Sequence, residues 1–68
     1  MPIYLVNKEA QPTGEHEVHE TTCDHLPYSW NRQDLGWHLN CQSAVQAAKA
    51  YYSNVDGCYW CCKPCHSR

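Results

Sequence analysis

The chain has 68 residues, a formal net charge of −2 and six cysteines. This length is enough for one small domain, residues 1–68, whose hydrophobic core alone would give only marginal stability. Aliphatic residues are few, with one Ile, four Leu and four Val, whereas three Trp and five Tyr supply most of the apolar bulk. We therefore expect a bound metal or disulfides to supplement the core.

The distribution of basic residues argues against nucleic-acid binding, and the N-terminal segment argues against secretion and a membrane span. The five Lys and Arg residues are scattered along the chain, whereas nucleic-acid affinity comes mainly from clustered positive charge. The N-terminal MPIYLV has no basic segment and is too short for a secretion signal or a membrane span. We therefore expect a cytoplasmic protein, and in the cytoplasm clustered cysteines more often bind metal than form disulfides.

The first elements predict a β-hairpin. Residues 3–7, IYLVN, are β-branched and aromatic, which is typical of a short strand. A polar loop with Pro and Gly follows, and residues 15–22 predict a weaker strand because Val18 is its only aliphatic residue. Strand alternation places His19 on the face opposite Val18.

Residues 24–40 predict a long ordered loop, since Pro, Gly, Asn, Asp and Ser are frequent there. We expect apolar side chains of this loop to fold back over the core: Leu26, Trp30, Leu35 and Trp37. We also expect the aromatic residues to form the core of this aliphatic-poor domain, namely Tyr28, Trp30, Trp37, Tyr59 and Trp60.

A single helix is predicted to begin at Ser43. Ser43 and Gln46 match the capping-box pattern, and an Ala-rich stretch follows. Asn54 or Gly57 would end the helix, because both residue types tolerate a left-handed backbone. The predicted fold class is therefore a small, zinc-stabilised α+β domain with a hairpin, a long loop, one helix and a C-terminal C-x-x-C knuckle.

Four of the six cysteines lie in eight positions, within the segment GCYWCCKPCH. Cys62 and Cys65 form a C-x-x-C knuckle, a spacing that can turn two thiolates toward one ion. Cys58 and Cys61 have the same spacing. Cys61 and Cys62 are adjacent, and their side chains point in different directions. We therefore expect only one of the two C-x-x-C pairs to bind a given ion.

A tetrahedral zinc site needs a second pair of ligands, for which His19 and Cys23 are the best candidates. Together with Cys62 and Cys65 they make a closed set of four protein ligands, which is typical of structural zinc. Several residues remain as alternative ligands, or as holders of a second ion: Cys41, Cys58, Cys61 and His66. Iron held by thiolates, and disulfides in place of metal, are chemical alternatives.

The segment EVHETTCDHLP, a helix, a Gly-aromatic stretch and CKPC together resemble the Ada-type metal-binding module. The resemblance implies a small zinc domain in which Cys23, Cys62 and Cys65 are ligands. In the DNA-repair member of that family the first ligand is a Cys that accepts a methyl group from a DNA phosphotriester. His19 stands at that position here, so the resemblance supports the fold and the zinc but not alkyl transfer. Three additional cysteines and an insert at residues 30–40 also depart from the family pattern.

The sequence thus predicts a monomeric structural-zinc module that recognises a protein partner. A thiol redox or metal-handling protein that uses the surplus cysteines is the alternative, and a weak nucleic-acid-binding module is a lesser one. We find no pattern of a nucleophile with its base and no phosphate-binding Gly loop, so a non-enzymatic role is favoured.

Overall fold

The computed structural model describes residues 2–67, which form a small α+β fold of four strands and one helix. In chain order these are β1 (Ile3–Asn7), β2 (His16–Glu20), β3 (Arg32–Trp37), α1 (Cys41–Ala48) and β4 (Val55–Gly57), with 3₁₀ turns at Ser29–Asn31 and Lys63–Cys65. The strand order is β3-β1-β2-β4. β1 is antiparallel to β2 and β3, whereas β4 runs parallel to β2.

The predicted hairpin is confirmed. Val6 lies opposite Val18, and Leu5 lies opposite His19. Tyr4, Val6 and Val18 are buried in the same cluster as the inner face of α1. Because successive side chains of a strand alternate between faces, Leu5 and His19 lie on the other face of the sheet, where both are also buried.

The prediction of an irregular loop is wrong for residues 32–37, which form β3 at the edge of the sheet. The ladder between β1 and β3 shifts register between Tyr4 and Leu5, and Gly36 adopts a φ of 77°. The shift leaves Leu35 without a partner across the ladder and breaks the alternation by which a strand is recognised. A bulge of this kind also makes an edge strand less able to pair with another chain.

The helix begins earlier and ends earlier than the sequence predicts. Asn40 is the N-cap, and its Oδ1 accepts a hydrogen bond of 2.9 Å from the Ser43 N–H. The Ser43–Gln46 pattern therefore lies inside the first turns, since Asn40 caps as well as Ser. The last helical residue is Ala48, and Gly57 belongs to β4 rather than to a helix end.

The core is built from Tyr4, small and aliphatic residues and thiols, and the five aromatic side chains that we predicted for it are exposed. Trp30 and Trp37 are 69% and 63% exposed, and Tyr28, Tyr59 and Trp60 are exposed as well. Ala44 and Ala48 are fully buried on the face of α1 toward the sheet. With such small side chains at the contact the helix packs close to the sheet, which leaves no room for an indole.

Within residues 2–67, no helix is both long enough and apolar enough to cross a membrane.

Candidate metal site

Four side chains converge at one end of the sheet: His19, Cys23, Cys58 and Cys61. Their ligand atoms all lie within 4.8 Å of one another. The Cys23 and Cys58 sulfurs are 3.9 Å apart, as are the Cys61 sulfur and His19 Nδ1. A tetrahedron with metal–sulfur bonds of about 2.3 Å has edges of about 3.8 Å. This group could therefore hold a metal ion with little rearrangement.

The parallel pairing of β2 and β4 brings distant parts of the chain to this site. Gly57 lies beside Val18, and the N–H of the next residue, Cys58, donates to the Val18 carbonyl at 2.9 Å. Cys58 is therefore held beside His19 at the carboxyl ends of both strands. A turn after β2 supplies the third ligand, because the Cys23 N–H donates to the Glu20 carbonyl at 3.0 Å.

Each of the three sulfurs accepts a backbone N–H. The His25 N–H donates to Cys23 Sγ at 3.4 Å, and the Trp60 N–H donates to Cys58 Sγ at 3.4 Å. The third bond, of 3.3 Å, runs from the Glu20 N–H to Cys61 Sγ. Hydrogen bonds of this kind favour the charged form of the acceptor, so the backbone is arranged to stabilise thiolates at all three positions.

His19 is arranged to bind through Nδ1. Its ring is 2% exposed, and Nε2 lies 3.6 Å from the Glu17 carboxylate, on the side away from Cys61. Burial first, and then the charges of His25 and Arg32, lower the pKa of His19 to about 4. The imidazole is therefore neutral at pH 7, and Nδ1 is the ring nitrogen that lies near Cys61 Sγ, 3.9 Å away.

Without a metal, Cys58 and Cys61 resist ionisation. Burial raises the pKa of Cys58 and of Cys61 above the ordinary value for a thiol, although the N–H groups at their sulfurs act in the opposite sense. A metal ion binds the thiolate form, so it must displace the protons of these two thiols.

The structure brings the predicted pair His19 and Cys23 into the group of four but not the predicted C-x-x-C pair, Cys62 and Cys65. Cys65 forms a disulfide with Cys41, so neither residue offers a thiolate. Cys62 is a free thiol that is 1% exposed and belongs to the hydrophobic core, although its sulfur is only 3.9 Å from that of Cys61. His66, another alternative ligand, lies outside the group of four; its Nδ1 is 3.0 Å from the Gly57 carbonyl.

A cavity of about 320 Å³ opens beside the site. Two of the four grouped side chains line it, together with the turn after β2 and one indole: Thr22, Cys23, Asp24, His25, Trp60 and Cys61. The rings of His25 and Trp60 stack with their centroids 4.6 Å apart and form one wall. The group of four is thus buried on the side of the sheet and open on the side of this cavity.

We compared the chain with protein-family models, with curated proteins and with solved structures, and none of them matches it. The Ada-type resemblance thus stays a hypothesis drawn from the sequence.

Proposed function

We propose that this chain is a small zinc-binding module in which one Zn²⁺, held by His19, Cys23, Cys58 and Cys61, stabilises a surface for recognition of a protein partner. The observation that carries the proposal is the convergence of three sulfurs and one imidazole nitrogen within 4.8 Å. Zinc is borderline-soft and readily takes this donor set in tetrahedral geometry. With four protein ligands and no position left for water, the ion would be structural rather than catalytic.

The role of zinc in stability follows from where its ligands lie in the chain. His19 lies on the second strand of the hairpin and Cys23 in the turn that follows, whereas Cys58 and Cys61 belong to the C-terminal segment. The aliphatic core between these parts is small, so a crosslink there contributes much of the folding free energy. Structural zinc in small modules contributes on the order of 10 kcal/mol.

The recognition role is supported by exposed apolar side chains around β3. Trp37 on β3 lies opposite Ile3, which is 49% exposed, and Leu39 beyond the strand is 74% exposed. At the other end of the strand, the rings of Tyr28 and Trp30 stack on each other in solvent, 4.8 Å apart. Aromatic residues are enriched in protein–protein interfaces, and a small chain gains nothing in folding by leaving two indoles in water.

Native mass spectrometry of protein purified without added metal tests the zinc proposal. We expect a mass excess of one zinc that disappears on acid denaturation, and we expect Cys58→Ser to lose it. Cys62→Ala is the matched control, since it removes a neighbouring buried thiol that is not a ligand and should keep the zinc. The assignment would be wrong if Cys62→Ala lost the metal and Cys58→Ser kept it.

Metal handling is a second candidate function, and the cavity beside the site favours it. A purely structural ion is best sealed from solvent, whereas here Cys23 and Cys61 line an open cavity. The same zinc could thus be reached by a small ligand from outside.

A further inference from the structure

The four proposed ligands are not equally protected. His19 and Cys58 are 2% and 1% exposed, whereas Cys23 and Cys61 are half-buried and line the cavity. An ion at the centre of the group would therefore be reached along the edge between the Cys23 and Cys61 sulfurs. The size of the cavity, about 320 Å³, is at the lower end of the range of small-molecule sites.

The charge of the loaded site selects among ligands that could enter. Three thiolates, one neutral imidazole and Zn²⁺ together carry a net charge of about −1. Asp24, which also lines the cavity, adds a second negative charge, and His25 is the one side chain of the lining that can carry a positive charge. Anionic ligands are repelled from such a cavity, whereas a cationic group is attracted.

We propose that this cavity binds a small aminothiol, which takes the place of Cys23 or Cys61 on the zinc ion; this inference rests on the zinc site proposed above. The ammonium group lies toward Asp24, and the sulfur reaches the ion. One zinc–sulfur bond forms to the incoming ligand as one bond to a protein cysteine breaks. The proton of the incoming thiol passes to the departing thiolate, and no electrons are transferred.

The exchange makes the site a place where zinc is passed to small thiols. The buried pair, His19 and Cys58, holds the ion while Cys23 or Cys61 is replaced. The N–H groups of His25 and Glu20, which donate to the Cys23 and Cys61 sulfurs, would then stabilise whichever thiolate remains bound.

The experiment measures the rate of zinc release from the zinc-loaded protein at a fixed concentration of a chromogenic chelator. Cysteamine and 2-mercaptoethanesulfonate are the probes, since they are thiols of similar size and opposite charge. We expect the rate to rise in proportion to cysteamine concentration, and to be several times lower with the sulfonate.

Two variants of residues that line the cavity test whether release depends on thiol binding there rather than on the overall charge or stability of the protein. Asp24→Asn should slow release by cysteamine and reduce the difference between the two thiols. Asp34→Asn is the matched control, because Asp34 is an exposed carboxylate on β3 that does not line the cavity. Thr22→Trp, which narrows the cavity, should slow release by both thiols and leave the zinc content unchanged.

The outcomes distinguish this inference from the proposed function. Failure of the protein to bind zinc would overturn both. Bound zinc whose release does not depend on thiol concentration, or is equally fast with the two thiols, would overturn the exchange alone. Release that occurs only together with a mass gain of two hydrogens would also overturn it, because zinc loss would then follow reduction of the Cys41–Cys65 disulfide.

Discussion

Cys61 and Cys62 are adjacent in the chain and have different environments. The Cys61 sulfur lies 3.9 Å from His19 Nδ1 and accepts the Glu20 N–H, whereas Cys62 packs in the core with Val6 and Val18. Only Cys61 belongs to the group of four, although the two sulfurs are 3.9 Å apart, so the two overlapping C-x-x-C motifs compete for one ion. The sequence establishes this competition, but the direction of each side chain is decided by the turn after β4.

Glu17→Gln should weaken zinc binding by about tenfold to a hundredfold, the usual effect of losing a carboxylate behind a histidine ligand. The Glu17 carboxylate lies 3.6 Å from His19 Nε2, just beyond hydrogen-bond distance, and an ion bound at Nδ1 would draw the Nε2 proton toward it. The measurement is zinc affinity by competition with a chelator of known affinity. Nitrogen-detected NMR of the zinc-loaded protein should report Nδ1 as the bound atom.

Glu20→Gln is the control for Glu17→Gln. It removes the same charge three residues along β2, and strand alternation places its side chain on the opposite face. Equal loss of affinity in the two variants would mean that Glu17 acts only through its charge and does not orient His19.

Zinc affinity should rise with pH by up to about a thousandfold per unit between pH 6 and 8, because each of the three ligand thiols loses a proton when it binds the ion. The pKa values of Cys58 and Cys61 are raised by burial, so both thiols are protonated throughout this range and must release a proton to the metal. His19 contributes none, because burial lowers its pKa to about 4 and it is already neutral. Competition titrations at pH 6, 7 and 8 test this, and a pH-independent affinity would contradict it.

At the scale of elements, the site depends on one short parallel pairing. β4 has only three residues, yet it carries Cys58 to the end of β2. Gly57 makes this possible, since a Cβ at that position would lie 2.6 Å from Cys65 Cβ and 2.8 Å from the Cys62 carbonyl oxygen. The C-terminal turn thus packs directly on the backbone of β4.

Gly57→Ala should destabilise the zinc-loaded protein by about 1–3 kcal/mol, the usual cost of forcing a methyl group into a filled space. It should also weaken zinc binding, because the displaced turn carries Cys61 and adjoins Cys58. Gly36→Ala is the comparison: its φ of 77° makes the substitution strained, but nothing lies within 4 Å of the new Cβ. Urea denaturation and chelator competition should show that both variants lose stability and only Gly57→Ala loses zinc affinity.

The hairpin was predictable from the sequence, and the edge elements were not. The strand at residues 3–7 carries a strong local signal in its β-branched and aromatic residues, and β2 follows from the turn between them. β3 contains a bulge and Gly36, which hide its alternation, and β4 is too short to have a pattern. The helix start was misplaced because Asn40 and Ser43 are equally good N-caps, and the choice between them depends on tertiary packing.

For the candidate site, the sequence predicted the pair on β2 and the turn after it. His19 and Cys23 belong to the group of four, and Cys58 and Cys61 were named only as alternatives. The two C-x-x-C motifs overlap and have identical spacing. Which of them supplies the ligands cannot be decided without knowing where β4 ends. The disulfide could not be predicted either, because Cys41 and Cys65 are separated by 24 positions and carry no local signal.

At the scale of the whole molecule, the C-terminal segment is linked to the rest of the chain at two places. The disulfide joins the first turn of α1 to the Lys63–Cys65 turn, and the candidate metal site joins Cys58 and Cys61 to the hairpin. The preference for metal binding over disulfides does not hold for Cys65, which pairs with Cys41. Disulfides are rare in the cytosol, so the Cys41–Cys65 disulfide argues against the predicted cytoplasmic location. A metal was expected on the basis of that location, and it is now supported by the geometry of the four side chains instead.

The Cys41–Cys65 disulfide and the proposed zinc site should contribute independently to the free energy of unfolding. Replacing both Cys41 and Cys65 with Ala opens a loop closed over 24 positions, for which we expect a loss of about 3 kcal/mol in the free energy of unfolding. The zinc ligands are untouched, so native mass spectrometry should still find one zinc per chain. Urea denaturation of the zinc-loaded protein measures the loss, and removal of zinc from the unmodified chain should cost considerably more. If the double variant no longer bound zinc, the disulfide would be a requirement for assembling the site rather than an independent crosslink.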